Sequence, residues 1–261
     1  MASLNIVSAN KITLEEFNGL LEQYPSLIKR ISDEKGVKNG QRTLEDLDKY
    51  RYNDALDTFN SNRRVRPMNL EDVKTLVEWK LRHGKFRPTL MKLVSSNDST
   101  TAQDIIEQAL EIYSKNADIE ATLAVLTKLR GVGPATASLL LAVHDASRVM
   151  FFADEAFWWL CCDRKQNPIK YNAKEYRELC SKVDHLRSRL GVEASDVEKA
   201  AYVLMKEPAQ PDVHGKEPSR ESKQNTSLKT EKKRKPELNP GKVESTTHEQ
   251  PSLRRSKRVK T

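Results

Sequence analysis

Cysteine is scarce in this chain. The 261 residues include three, Cys161, Cys162 and Cys180, which are too few and wrongly spaced for a zinc or iron–sulfur framework. They read as reduced, partly buried thiols. Long apolar runs are missing as well: no stretch approaches the roughly 20 apolar residues of a membrane-spanning helix, so no membrane partner is expected. Met1-Ala2-Ser3-Leu4-Asn5 lacks the basic-then-apolar order of a secretory signal. There is no internal repeat, no glycine-rich loop for nucleotide phosphates and no spacing that suggests a Ser-His-Asp or Cys-His arrangement. His144 and His185 stand without metal-spaced partners, and no metal site is expected.

What the chain has in excess is positive charge. With 45 Lys and Arg against 37 Asp and Glu, the net charge is +8 and the pI near 9.3, a balance that suits a polyanionic partner. Much of it lies beyond residue 206, where aromatics cease and Lys, Arg, Glu, Ser, Pro, Gln and Thr take over. Such a composition buries too little apolar surface to offset ordering entropy, so 207–261 is expected to be a disordered tail. Its clusters Lys232, Lys233, Arg234, Lys235 and Arg254, Arg255, Lys257, Arg258 read as nuclear-import signals, with import receptors as partners and a nuclear location. A solvated charge run is the plain alternative.

Helix-start signals fill the rest and leave little room for strands. Thr13-Leu14-Glu15-Glu16 has the capping-box form, Pro25 opens a second short helix, and residues 32–41, with Gly36 and Gly40, read as a loop. Thr43-Leu44-Glu45-Asp46 starts the next helix. Asn69 caps a helix from Leu70 to His83 that stops at Gly84, with Val73, Leu76, Val77 and Leu81 as its buried stripe. Ser99 or Thr101 starts another, Asp118 caps one running to Leu129, Asn172 to Leu190 ends at Gly191, and Ser195-Asp196-Val197-Glu198 reads as a capping box for the last. The expected fold is all-α: a helical extension over 1–42, a multi-helix globular domain containing a helix-hairpin-helix over 43–206, and the basic tail.

Two stretches carry the chemistry. In Leu126 to Leu141 an apolar helix meets Arg130, Gly131, Val132 and Gly133, then Pro134 and Ala135 open a second helix. The two glycines suit positive φ or close backbone approach, Pro134 suits a first helical turn, and the free amides of such a turn hold an anion, phosphate above all. A purely structural corner is the competing reading. Between Trp79 and Pro88, the cations Lys80, Arg82, Lys85 and Arg87 interleave with Trp79 and Phe86, an arrangement suited to phosphate contact and base stacking. It equally suits a helix C-terminus neutralised by cations over core aromatics.

Asp154 follows Gly133 by 21 positions, after an apolar run and ahead of Phe157, Trp158 and Trp159. This order resembles the helix-hairpin-helix DNA glycosylase superfamily in divergent form. The Trp79–Pro88 stretch resembles uncharacterised eukaryotic proteins, which supplies no activity. The family resemblance implies a hairpin that grips DNA and an aspartate, here Asp154, facing a pocket for an extruded base, with an aromatic among Phe157, Trp158 and Trp159 lining it. A fixed carboxylate would stabilise the oxocarbenium character that develops as an N-glycosidic bond breaks. Glu155 follows immediately, so the acid is either residue. Ala135 stands where strand-cutting members carry a lysine, which implies a monofunctional enzyme without lyase activity. No cofactor is implied beyond a monovalent cation at the hairpin. Asp154 also suits a plain N-cap. Three functions therefore stand: a DNA glycosylase, a non-catalytic DNA-binding module, and a nuclear interaction protein with a structural hairpin.

Overall fold

Thr13, Thr43 and Asn69 each stand three residues ahead of a carboxylate. In a computed structural model that describes residues 8–37, 40–60 and 65–206, all three form reciprocal capping boxes, with Glu16, Asp46 and Asp72. They start α1 (Leu14–Lys35), α2 (Leu44–Lys49) and α4 (Leu70–His83). A π-helical turn, Tyr50–Asp54, joins α2 to α3 (Ala55–Phe59). The chain continues through α5 (Leu90–Ser95), α6 (Ser99–Asn116), α7 (Ile119–Leu126), α8 (Pro134–Ala142), α9 (Asp154–Cys161), α10 (Ala173–Leu190) and α11 (Ala194–Lys206). No strand occurs among the described residues. None of their helices is long and apolar enough to cross a membrane. The tail clusters at 232–235 and 254–258 lie outside the described residues.

Several boundaries differ from expectation, each for a visible reason. Pro25 opens no second helix; it sits inside α1. A proline there forfeits one backbone bond, but the stripe Phe17, Leu20, Tyr24, Leu27 and Ile28 stays buried on both sides of it, and that continuous burial carries the helix through to Lys35. Within the extension expected over 1–42, α1 is built into the main core, because this stripe packs it against α11 and α2. The start of α6 at Ser99 is as expected, with Asp98 as its cap, accepting from the Thr101 amide at 2.8 Å. The capping box at Ser195 does not form. Ser147 and Ala146 carbonyls take the Ala194 and Ser195 amides, each at 3.1 Å, and Glu198 turns inward to Arg51.

The core is centred beneath α4. Val73, Leu76, Val77 and Leu81 are buried as the stripe predicts, and Trp79 joins them at 0% exposure. Trp79 thus belongs to the core, whereas Phe86 lies outside at 70% exposure. This split separates the core-facing last turns of α4 from the exposed segment that follows the helix.

Candidate functional site

The turn between α7 and α8 is built from short-range bonds: Leu129 N–H to Leu126 O at 3.2 Å, then Val132 N–H to Leu129 O at 3.0 Å. Gly131 adopts φ 80°. A Cβ there would stand 2.9 Å from the Leu93 Cβ and 3.1 Å from the Val94 backbone nitrogen, so glycine is required by both conformation and space. Gly133 differs from expectation. Its φ is −95°, which any residue adopts, and a Cβ would meet nothing within 4 Å. It is the N-cap of α8, and open space lies above it. Pro134 occupies the first turn of α8, while Leu126, Leu129, Ala137 and Leu140 are buried where the two helices pack.

Asn97 fastens this turn to the end of α5. Its Oδ1 accepts from the Arg130 amide at 2.8 Å, and its Nδ2 donates to the Arg130 carbonyl at 3.0 Å and the Val94 carbonyl at 2.8 Å. The amides of Gly131, Gly133 and Ala135 make no hydrogen bond among the described residues. Ser138, one turn into α8, ties the turn to the acidic segment: its hydroxyl donates to the Ala135 carbonyl at 3.2 Å and accepts from the Phe152 amide at 2.9 Å. That staple sets where Asp154 emerges.

These elements enclose a cleft of ≈ 260 Å³, a little below the roughly 300 Å³ where drug-sized pockets begin. It has room for one ring system. Gly131, Gly133, Ala135 and Thr136 form one side, Lys80, Lys85 and Arg87 a second, and Phe151, Phe152, Asp154 and Tyr171 a third.

Asp154 is the first residue of α9, and the N-cap position belongs to Ala153 without any side-chain bond. The plain capping role for Asp154 therefore does not hold. Its Oδ1 accepts from the Tyr171 hydroxyl at 2.6 Å. Burial and the Asp154 carboxylate hold that phenol protonated well above its usual range. Tyr171 also packs against Phe152 at 5.5 Å between ring centroids, and the Arg87 guanidinium lies 5.4 Å from its ring. Glu155 touches the cleft edge but is already held by Lys206 at 2.8 Å, which separates the two carboxylates by role.

Lys80 donates from Nζ to Thr136 Oγ1 at 2.8 Å and stands 5.9 Å from the Phe151 ring. Burial first, then the Arg87 charge, push its ammonium down to about 8, against the opposing pull of Asp154. His83 also lines the cleft. Burial, then the charges of Lys206, Lys35 and Arg51, depress it well below the usual imidazole range.

Other expected residues lie elsewhere. Arg82 faces away from the cleft and donates to the Arg42 carbonyl at 2.7 Å and to Gly36, anchoring the segment that follows α1. Arg130 is exposed at the turn, while Val132 is buried at 4%. Phe157 and Trp159 are buried, and Trp158 is half-buried with Nε1 on the Asn167 carbonyl at 2.9 Å. None of the three lines the cleft; α9 carries them away from its first residue, and Phe151, Phe152 and Tyr171 supply the aromatic walls. Among the described residues, Lys85, Arg87 and Arg130 form no ion pair with a carboxylate, which leaves their charge available. The described residues hold no cluster of His, Cys, Asp and Glu fit for a metal. Burial pushes the Cys161 thiol up to about 12 and Cys180 up to about 11, so neither is a poised thiolate.

No family model, curated protein or solved structure matches this chain.

Proposed function

We propose that the α7–α8 turn acts as a helix-hairpin-helix that grips a DNA backbone, while the adjoining cleft receives a nucleotide turned out of the duplex. One observation carries this reading: Asp154 opens onto the same small cleft as the unbonded amides of Gly131, Gly133 and Ala135 and the uncompensated Arg87. Unpaired amides and cations suit phosphate oxygens. Aromatic walls at Phe151, Phe152 and Tyr171 suit a stacked base.

On this reading the reaction is hydrolysis of an N-glycosidic bond. As the base departs, positive charge develops on the sugar, and the Asp154 carboxylate, oriented by the Tyr171 hydroxyl, stabilises it. Glu155, held by Lys206, serves structure. A monovalent cation on the turn carbonyls would add positive charge for phosphate, and the tail clusters would direct nuclear import.

The test uses the full chain on matched duplexes with and without an abasic-site analogue, titrated with salt. Preference for the abasic duplex is expected, and Arg87→Glu with Arg130→Glu should flatten the salt slope by roughly one to two units. On duplexes carrying damaged bases, Asp154→Asn should slow base release by about 100-fold or more while binding persists. Equal release by wild type and Asp154→Asn would remove the catalytic assignment. Binding with no release by either identifies a non-catalytic reader, and loss of abasic preference would sink the DNA reading.

A further inference from the structure

The ends of α1, α4 and α11 enclose a second depression, of ≈ 580 Å³, which shares His83 and Gly84 with the cleft and falls within the size range of small-molecule sites. Leu27, Ile31 and Tyr202 give it an apolar lining. Two lysines from different helices meet over it: Lys35 is the last residue of α1 and Lys206 the last of α11. They stand near enough to repel. Burial first, then the charges of Lys206 and Arg82, push the Lys35 ammonium down, and Glu155 opposes them. Arg30 and Glu34 line the same depression and cancel in charge. Lys35, Lys206 and Arg82 against Glu155 then leave a charge of +2.

Each lysine has a structural partner. Lys35 Nζ donates to the Arg82 carbonyl, and Lys206 Nζ lies 2.8 Å from Glu155 Oε1. Neutralising the C-terminal end of α4 explains the first contact, and a plain ion pair explains the second. Neither explains why the two ammonium groups are brought together at one depression, where their repulsion is relieved by an anion between them. An ammonium carries three donors, so each lysine retains N–H groups beyond the partner it has.

We propose that this depression binds a phosphomonoester, with its phosphate between Lys35 and Lys206 and its organic body against Leu27, Ile31 and Tyr202. A phosphomonoester carries about −1.5 to −2 near neutral pH and three acceptor oxygens, which match the charge and the N–H groups left over. A carboxylate or a phosphodiester carries a single charge and leaves part of the repulsion in place. The site does not rest on the DNA reading.

Isothermal titration of the full chain at pH 7.5 and fixed ionic strength, with phenyl phosphate, phenol and inorganic phosphate, tests it. One phenyl phosphate should bind per chain, and phenol and inorganic phosphate should each bind about 10-fold more weakly or worse. Lys35→Gln with Lys206→Gln should weaken phenyl phosphate by about 10-fold or more. Lys29→Gln with Lys49→Gln removes the same charge from exposed positions outside the depression and should change affinity by less than about 2-fold. Phenol as tight as phenyl phosphate, or equal effects of the two lysine pairs, overturns the proposal; inorganic phosphate as tight as the ester overturns the organic body. The ligand comparison is made on wild type, so folding of a variant does not enter. An undamaged duplex that displaces phenyl phosphate would give the depression to the DNA backbone and overturn the small-ligand assignment. Binding of phenyl phosphate by a chain that binds no duplex leaves this site standing while the DNA reading falls.

Discussion

On one side of α4, Arg51 is wholly buried 3.4 Å from Glu198, and Asp48 accepts from Trp79 at 2.9 Å and from Tyr24 at 2.8 Å. On the other side, Lys80 has a threonine hydroxyl and Asp154 a tyrosine hydroxyl. Both sides remove ionisable groups from water. Beneath the helix the charges are spent on one another and on the rings of Tyr52 and Trp79, which lie 4.8 Å and 5.6 Å from the Arg51 guanidinium. Above it, a cation and a carboxylate face a common space without closing into a pair. The first arrangement fixes the fold; the second leaves interaction energy for a ligand. Opposite faces of a single helix thus separate stability from binding.

The largest effect should come from breaking the closed side. Glu198→Ala leaves Arg51 buried and uncompensated, with Nε and Nη1 already unpartnered, and should cost about 3–5 kcal/mol by denaturant unfolding. The matched change across the helix, Lys80→Met, removes a charge that has no carboxylate partner and should cost less than about 1 kcal/mol. Equal losses at the two positions would abolish the distinction between the faces.

The turn allows the same contrast at smaller scale. Gly131→Ala forces a Cβ to within 2.9 Å of Leu93 at φ 80°, and should destabilise by about 2–3 kcal/mol. Gly133→Ala, in extended backbone beneath open space, should stay within about 0.5 kcal/mol. Its stability therefore leaves DNA affinity free to report on the cleft. If the two alanines prove equally costly, the turn is not seated on α5 as described.

Local chemistry made the helices legible. Thr13, Thr43, Asn69, Asp118, Asn172 and Gly191 announce their ends through bonds made within a few residues. Where tertiary contacts intervene, the signals mislead: Pro25 persists inside α1 because its helix is held by burial, and the Ser195 box is displaced by carbonyls that reach α11 from the end of the α8 segment. In the site, Asp154, Lys80 and the glycine turn could be singled out from order and residue type. Tyr171, Asn97 and Ser138 could not, because each acts across 14 or more positions of sequence. The adjacent Trp158 and Trp159 misled for a related reason, since proximity along a helix beyond Asp154 carries side chains away from it.

His83 lies where the two faces meet, and pH should reveal which one governs it. Its ring stacks between Trp79 at 4.5 Å and Tyr202 at 3.8 Å, with Nε2 3.3 Å from the Tyr24 hydroxyl. Because its folded pKa is depressed below the unfolded value of about 6.5, the unfolded chain binds the proton more readily. Its contribution to stability is complete above that value and is lost as pH falls toward the folded pKa. Glu198 and Asp48, raised by burial, act in the opposite direction, since acidification relieves their buried charge. A single melting curve mixes these effects, but both carboxylates are present in His83→Phe, so the difference between the chains isolates the imidazole. Wild type should lose more thermal stability than His83→Phe between pH 7.5 and 5.5. Parallel losses would mean that His83 is reached by water from the cleft and belongs to the open face of α4.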